Sequence, residues 1–131
     1  MWAEVNLPPP PRPAPSVFTG GIAERGGWHA SGPFARLEVG DDLLVIRATR
    51  LATVVGLHDV QAQKAETKAV RLSTGVLAVR VSVIRADGVE LEPYFTAMSR
   101  GPIRRALLAR GWPVVEDKWR FGLRSPDEPV P

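Results

Sequence analysis

Side chains that could carry out acid, base or metal chemistry are few in this sequence and stand far apart. The two histidines, His29 and His58, are about thirty residues apart, and no HExxH or comparable metal-binding spacing is present. Asp59 follows His58, but adjacent residues of an extended segment point apart, which favours loop stabilisation over an acid–base pair. GxSxG, P-loop and GxGxxG motifs are also absent. We therefore expect no enzymatic activity, no cofactor and no metal.

Two adjacent acids, Asp41 and Asp42, follow Gly40 between two segments with strand character. Paired carboxylates can bind a hard cation, but aspartate also tolerates tight turns and hydrogen-bonds its own backbone. The flanking pattern favours a turn, because residues 34–39 alternate between apolar and polar types and residues 43–46 are aliphatic. We predict a β-hairpin here. Its inward-facing residues are Ala35, Leu37 and Val39.

Positive charge is unevenly distributed along the chain. The formal net charge is only +3, but residues 43–85 contain seven Lys or Arg against two acids, and residues 99–112 contain four Arg and no acid. Such clusters either solvate the outer surface of a sheet or form a face that attracts anionic lipid headgroups or nucleic acid. The candidate basic face comprises Arg47, Arg50, Arg71, Arg80, Arg85, Arg104 and Arg105.

The strands that must position these arginines are clearest in residues 77–85. Leu77, Val79, Val81 and Val83 fall on one side of this segment, whereas Arg80 and Ser82 fall on the other, solvent-facing side. The Asp87-Gly88 dipeptide then predicts a two-residue turn. Residues 89–97 should return beside the strand, with Pro93 at a sheet edge or a bulge.

Four further segments have the composition of strands, and for a fifth a strand is one of two alternatives. Residues 17–19 are predicted to form an edge strand, and residues 52–55, 60–64 and 68–72 to form internal or edge strands. In the last of these, Val70 and Leu72 share one face and Arg71 the other. Residues 114–121 either add a small strand or lie on the surface. The aromatic and cationic residues Trp119, Arg120, Phe121 and Arg124 either pack locally or bind single-stranded nucleic acid.

One helix is predicted, over residues 102–110. Pro102 suits the first helical position, and Gly111 suits the left-handed residue after the helix. The apolar stripe of Ile103, Ala106 and Leu107 should face the core, with Arg104 and Arg105 outward. Trp112 is expected to fold back onto Leu107. A helix this short needs packing against a sheet to be stable.

Length and composition favour one soluble domain. The 131 residues are 44% hydrophobic and 24% charged, include no cysteine, and contain no apolar run of about 18 residues. The chain shows no signal-peptide pattern, so a cytoplasmic location is expected. We divide it into a Pro-rich tail (1–16), a domain (17–115) and a C-terminal extension (116–131). The tail, which includes Arg12, is either a linker or a polyproline ligand for an aromatic groove.

The predicted elements resemble the pleckstrin-homology (PH) and GRAM superfold, in particular small bacterial PH-like domains. The resemblance covers residues 28–115 and rests on residues 33–39, the Asp87-Gly88 turn and the helix with its stops at residues 102–113. It implies a mainly β (α+β) fold. The sheet would be a curved antiparallel sheet or partly open barrel of six to seven strands, closed by one C-terminal helix. Lipid-binding relatives carry basic residues in the first loop, whereas here that loop is Gly40-Asp41-Asp42, whose carboxylates repel a polyphosphate.

These features lead to two hypotheses about function. The leading one is a non-catalytic PH-like adaptor that binds a protein or peptide at an exposed strand edge or in the groove between sheet and helix. The alternative is a basic face that binds anionic lipid headgroups or nucleic acid. Formation of a homo-oligomer through the edge strand beside Pro93 is compatible with both.

Overall fold

The computed structural model describes residues 14–24, 29–48, 59–75 and 78–118. Within these ranges the chain forms eight strands, a 3₁₀ turn at Lys64–Glu66 and one α-helix. Neither helical segment of this part of the chain has the length and apolar character needed to cross a membrane. The strands are β1 Ser16–Ala23, β2 His29–Val39, β3 Leu43–Ala48, β4 Val60–Gln63, β5 Thr67–Thr74, β6 Val79–Arg85, β7 Tyr94–Ala97 and β8 Val114–Lys118; helix α1 is Arg100–Ala109.

All eight strands belong to one open sheet with the order β4-β3-β2-β1-β7-β6-β5-β8. Neighbouring strands are antiparallel except β5 and β8, which are parallel. The expectation of a mainly β fold with one helix is confirmed. The expected six to seven strands and the purely antiparallel arrangement are wrong, because the chain adds β8 after the helix. This strand also crosses residue 115, where the sequence division ends the domain.

The sheet curls, because the strands at its first and seventh positions, β4 and β5, are consecutive in the chain. Only the three residues of the Lys64–Glu66 turn separate β4 from β5. The amide of Lys64 donates to the carbonyl of Asp42 at 2.8 Å, and the amide of Ala86 donates to the carbonyl of Glu66 at 2.9 Å. The turn is therefore fastened to the β2–β3 connection on one side and to the β6 end on the other.

The core lies on the concave face, where the predicted alternation is confirmed. In the β2–β3 hairpin Ala35, Leu37 and Val39 are buried, and in β5 Val70 and Leu72 are buried. The same holds for Val79, Val81 and Val83 of β6, whereas Leu77 lies outside the described residues. Each of the buried Val and Leu side chains contributes roughly 1.5–3 kcal/mol by leaving water.

Residues 17–19 of β1 pair with β2 alone, as expected of an edge segment, whereas residues 21–23 also pair with β7 and lie inside the sheet. The strand continues through Gly20 and Gly21 to Ala23. A Cβ atom at Gly20 would lie 2.1 Å from the carbonyl oxygen of Thr96 and 2.7 Å from Cζ of Phe95. Glycine here permits β7 to approach closely.

Strand β7 is also internal, because it pairs with both β1 and β6. A turn at Asp87-Gly88 is confirmed, but its predicted two-residue form is wrong. The Arg85 amide donates to the Val89 carbonyl and the Gly88 amide donates to the Arg85 carbonyl, both at 2.8 Å, so the loop has three residues, 86–88. Pro93 is buried and lies in the bend between the Ile84–Glu90 bridge and β7. The strand beside Pro93 is therefore not an edge strand, and the chain there makes a bend at residues 92–93.

Helix α1 begins at Arg100, two residues earlier than predicted, which places Pro102 in the first turn, where no intrahelical amide donor is needed. The predicted end is confirmed, with Gly111 at a φ of 76°. The amide of Trp112 donates to the Leu107 carbonyl at 3.0 Å and that of Gly111 donates to Leu108 at 3.1 Å. This pair of bonds is a Schellman motif.

The helix contacts β5 and β8 and does not cover the open side of the sheet alone. As predicted, Ile103 and Leu107 are buried, and Arg104 and Arg105 are exposed. The buried Trp112 indole donates through Nε1 to the Gly40 carbonyl at 2.8 Å, and the Lys64 ammonium lies 5.3 Å from the ring centroid. The expected closure of the sheet by the helix is therefore not observed as such, and the end of α1 is instead joined through Trp112 to Gly40 and Lys64.

Candidate binding cleft

The arginines of the predicted basic face lie on several elements. Arg47 is on β3, Arg71 on β5, Arg80 and Arg85 on β6, and Arg104 and Arg105 on α1; Arg50 is outside the described residues, as are His58 and residues 52–55 and 119–124. Strands β2, β1 and β7 separate β3 from β6. The structure therefore brings no more than small groups of these arginines together.

Three of them, Arg47, Arg104 and Arg85, are each held by a carboxylate. Arg47 Nε donates to Glu38 Oε2 at 2.7 Å, and this bond raises the pKa of Arg47. Arg104 Nε donates to Glu116 Oε1 at 3.0 Å. These pairings reduce the positive charge that an anionic ligand would meet.

Arg85 is held in the same way by Asp87. Its NH2 lies 2.5 Å from Asp87 Oδ2. The hydrogen bond raises the pKa of Arg85 and lowers the pKa of Asp87, which also accepts from the Val89 amide. The pair therefore braces the β6–β7 turn.

Arg71 belongs to a polar cluster on the outer face, which we call the β5–β8 network: Arg71, Ser82, Glu90 and Asp117. Arg71 Nε donates to Asp117 Oδ2 at 2.6 Å, and Ser82 Oγ donates to Glu90 Oε1 at 2.6 Å. A second Arg71 nitrogen, NH1, lies 3.4 Å from Glu90 Oε2. Ser82 is only 5% exposed, so its predicted solvent-facing position is wrong. Nearby, the Arg80 guanidinium lies 5.0 Å from the Tyr94 ring centroid.

A concavity with a volume of about 450 Å³ lies on the outer face of the β2–β3 hairpin. We call it the β2–β3 cleft. It extends along β3, because its lining includes the alternate residues Leu43, Val45 and Arg47. The remaining lining residues are Ala14, Pro15, Glu38, Gly40, Asp41 and Asp42.

Hairpin register explains this lining. Glu38 pairs with Val45 across the two strands, and opposed residues of an antiparallel pair point to the same face. Leu37 and Val39 take the core side, so Glu38 and Val45 must point outward. Val45 is nevertheless only 5% exposed, which makes it the apolar floor of the cleft.

Arg110, the residue after α1, fixes the end of the cleft at the turn. Its NH1 donates to Asp41 Oδ1 at 3.0 Å, and its NH2 donates to the Ala14 carbonyl at 2.8 Å and lies 3.4 Å from Ser16 Oγ. Lys64 in turn donates to the Arg110 carbonyl. One cap residue thereby joins the turn to the wall formed by Ala14 and Pro15.

The lining of the cleft carries a net negative charge, because it contains three carboxylates and one guanidinium. Glu38 is engaged by Arg47, and Asp41 is engaged by Arg110. Within the described residues the exposed Asp42 carboxylate has no hydrogen-bond or ion-pair partner. The described part of the chain contains no group of three or more acids or histidines arranged to hold a metal ion. The chemistry on offer is recognition of a cationic group above an apolar floor.

Sequence reasoning identified Asp41 and Asp42 only as turn residues and did not include Glu38, Val45 or Arg110 in a site. The alternation in residues 36–39 was a usable signal, because it places Glu38 outward beside the acidic turn. The role of Arg110 had no such signal, since its partners Ala14 and Asp41 are distant in sequence. No spacing rule connects them.

Comparison of the chain with protein-family models, with curated proteins and with solved structures gives no match. The properties of the cleft therefore have to be argued from its own residues.

Proposed function

We propose that this chain is a non-catalytic, PH-like binding or adaptor module that recognises a peptide or protein segment in the β2–β3 cleft. The observation that carries the proposal is the cleft itself, with the buried Val45 as floor, the exposed Leu43 beside it and the unengaged Asp42 at its end. An extended segment can bury side chains on such a floor while its polar groups meet the rim.

The PH-like part of the proposal is supported by chain order. Seven strands follow one another before a single helix, and a short 3₁₀ turn connects the two ends of the seven-stranded part. Strand β8 is an addition to that plan. A cytoplasmic location is part of the proposal and is supported by the cysteine-free sequence.

Selection from a library of displayed random ten-residue peptides tests this function. We expect the wild-type protein to enrich peptides that bind with micromolar affinity, a range ordinary for small domain–peptide contacts. Leu43→Arg should abolish that binding, because the new side chain fills the cleft. Leu108→Arg is the matched control, since Leu108 is similarly exposed (47% against 42% for Leu43) but lies on α1. Failure to enrich any peptide, or equal binding by both variants, would contradict the proposal.

Binding of anionic lipid headgroups or nucleic acid stays a prediction with less support. The pairing of Arg47, Arg71, Arg85 and Arg104 with carboxylates leaves less charge for phosphates. Liposome co-sedimentation and filter binding across a salt series measure this activity directly. Tight binding that weakens steeply with salt would favour this alternative over the peptide proposal.

Self-association also stays a prediction, but its location changes. The outermost strands of the described sheet are β4 and β8, and β7 is internal. Strand β8 carries Glu116, Asp117 and Lys118, and charged edges disfavour pairing between copies. Strand β4 has the sequence VQAQ and no charge. Pairing through β4 is the version to test, by sedimentation at several concentrations.

A further inference from the structure

The outer face of the β2–β3 hairpin is electrically polarised along its length. Asp41 and Asp42 lie at the turn end, and Asp42 has no partner among the described residues. At the other end Arg36 of β2 is directly opposed to Arg47 of β3. Both point outward, because Leu37 and Ile46 take the core side.

Two directly opposed arginines destabilise a strand pair, because their like charges repel each other. Arg47 is compensated by Glu38 and, at 3.9 Å, by Asp59. Arg36 is exposed and has no hydrogen-bond or ion-pair partner within the described residues. An anionic group from outside would relieve this repulsion.

The spacing of the two ends follows from strand geometry. Arg36 and the start of the turn at Gly40 are four residues apart on the hairpin, and an extended strand rises about 3.3 Å per residue, so the separation is about 13 Å. The lining of alternate β3 residues shows that the cleft runs in this same direction. An extended peptide lying in it would span the same distance with about four residues.

We propose that the β2–β3 cleft recognises an extended peptide with opposite charges four positions apart, its basic side chain at Asp41–Asp42 and its acidic side chain at Arg36. The inference rests on the proposed function. Between the two charges, Glu38 is already neutralised by Arg47 and Val45 forms the floor, so the intervening positions take small or apolar side chains. Complementary charges at both ends would set the register of the bound peptide.

The test is a charge swap with the same ten-residue display library. Selections are run on the wild-type protein, Arg36→Glu, Asp42→Lys and the double variant. The peptides selected on wild type should carry a Lys or Arg and an Asp or Glu four positions apart. Arg36→Glu should weaken a wild-type-selected peptide about tenfold, as expected when an exposed attraction becomes a repulsion. Peptides selected on the double variant should have the two charges exchanged.

Two controls separate local recognition from net charge. Arg105→Glu, on the exposed face of α1, and Glu92→Lys, before β7, make the same charge changes away from the cleft and should leave the selected pattern unchanged. Because all four altered residues are exposed, the variants should remain folded, which thermal unfolding checks. Enriched peptides without the charge spacing, or a pattern that ignores Arg36→Glu and Asp42→Lys, would overturn the inference and leave the peptide-binding function standing. No enriched peptide would overturn both.

Discussion

The two ends of the sheet carry arginine on the same outer face, yet in opposite circumstances. In the β5–β8 network the Arg71 side chain is 13% exposed and contacts two carboxylates, of which Asp117 is 6% exposed. On the β2–β3 hairpin Arg36 is exposed and has no partner among the described residues. The same apolar–polar alternation thus places one arginine, Arg71, in ion pairs within the fold and leaves the other, Arg36, accessible to a ligand. Burial and pairing distinguish them, and charge counting does not.

The difference originates in β8. This strand is parallel to β5, with Asp117 paired to Ser73 in register, and so delivers a carboxylate to the outer side of Arg71. On the hairpin, the corresponding carboxylate belongs to Glu38, two residues after Arg36 on β2. It accepts a hydrogen bond from Arg47 and not from Arg36. The following predictions test this contrast.

The largest expected effect is in the core that supports both surfaces. Leu107 is fully buried, so Leu107→Asp places a charge where no partner is available and should leave the chain unfolded, a loss of more than about 4 kcal/mol. Circular dichroism and thermal unfolding measure this. Arg104→Ala and Arg105→Ala on the exposed face of α1 should remain folded. A folded Leu107→Asp protein would show that α1 does not hold the sheet.

The next effect concerns the β5–β8 network. Asp117→Ala removes the main partner of the poorly exposed Arg71 and should lower the free energy of unfolding by about 3 kcal/mol. Urea denaturation gives the value, and Asp117→Asn, which preserves shape and an acceptor oxygen, should cost less. A loss below about 0.5 kcal/mol, ordinary for a surface substitution, would place Arg71 in the same class as Arg36.

Arg36→Ala is the counterpart on the hairpin, and its effect on stability should be within about 0.5 kcal/mol. Relief of repulsion from Arg47 could make the change slightly stabilising. The same urea experiment measures it, at low and high salt, because screening should reduce any gain. A loss above about 1 kcal/mol would mean that Arg36 has a structural role, and the contrast between the two surfaces would fail.

The smallest effect is the pH dependence of the exposed Arg85–Asp87 pair. Its hydrogen bond lowers the pKa of Asp87 in the folded state. The pair therefore stabilises the fold above the unfolded-state pKa, near 4, and this contribution is lost as the pH falls through the lower folded-state value. Asp87→Asn should be slightly less stable than wild type at about pH 7 and equal to it at about pH 2. A difference that is the same at both pH values would argue against the ion pair.

Sequence patterns predicted the local part of the fold. Period-two alternation placed Leu37, Val39 and Val81 in the core, and Gly111 marked the helix end, because each of these properties depends on neighbouring residues. The pattern at residues 17–19 did not predict that β1 continues to Ala23 and pairs with β7, because that pairing joins Gly21 to Thr96, which is remote in sequence. The site was predictable only in part, for the same reason.

The cleft shows this limit most clearly. Asp41 and Asp42 were found as turn residues, and the alternation already contained the outward positions of Arg36 and Glu38. The wall at Ala14 was not predictable, because its hydrogen bond to Arg110 joins residues that are 96 positions apart and meet only in the folded chain. So did the pairing of Arg71 with Asp117, which depends on an added parallel strand that no local pattern specifies.

The pairing of β1 with β7 also determines the order in which the structure can form. The hairpins β2–β3 and β5–β6 join residues that are near in sequence, whereas Gly21 pairs with Thr96 across most of the domain. Long-range pairing must meet its loop-closure entropy before its contacts contribute, so it forms late and slows folding. Only three residue pairs join β1 to β7. The two halves should therefore assemble separately, and closure of this narrow seam should limit the folding rate.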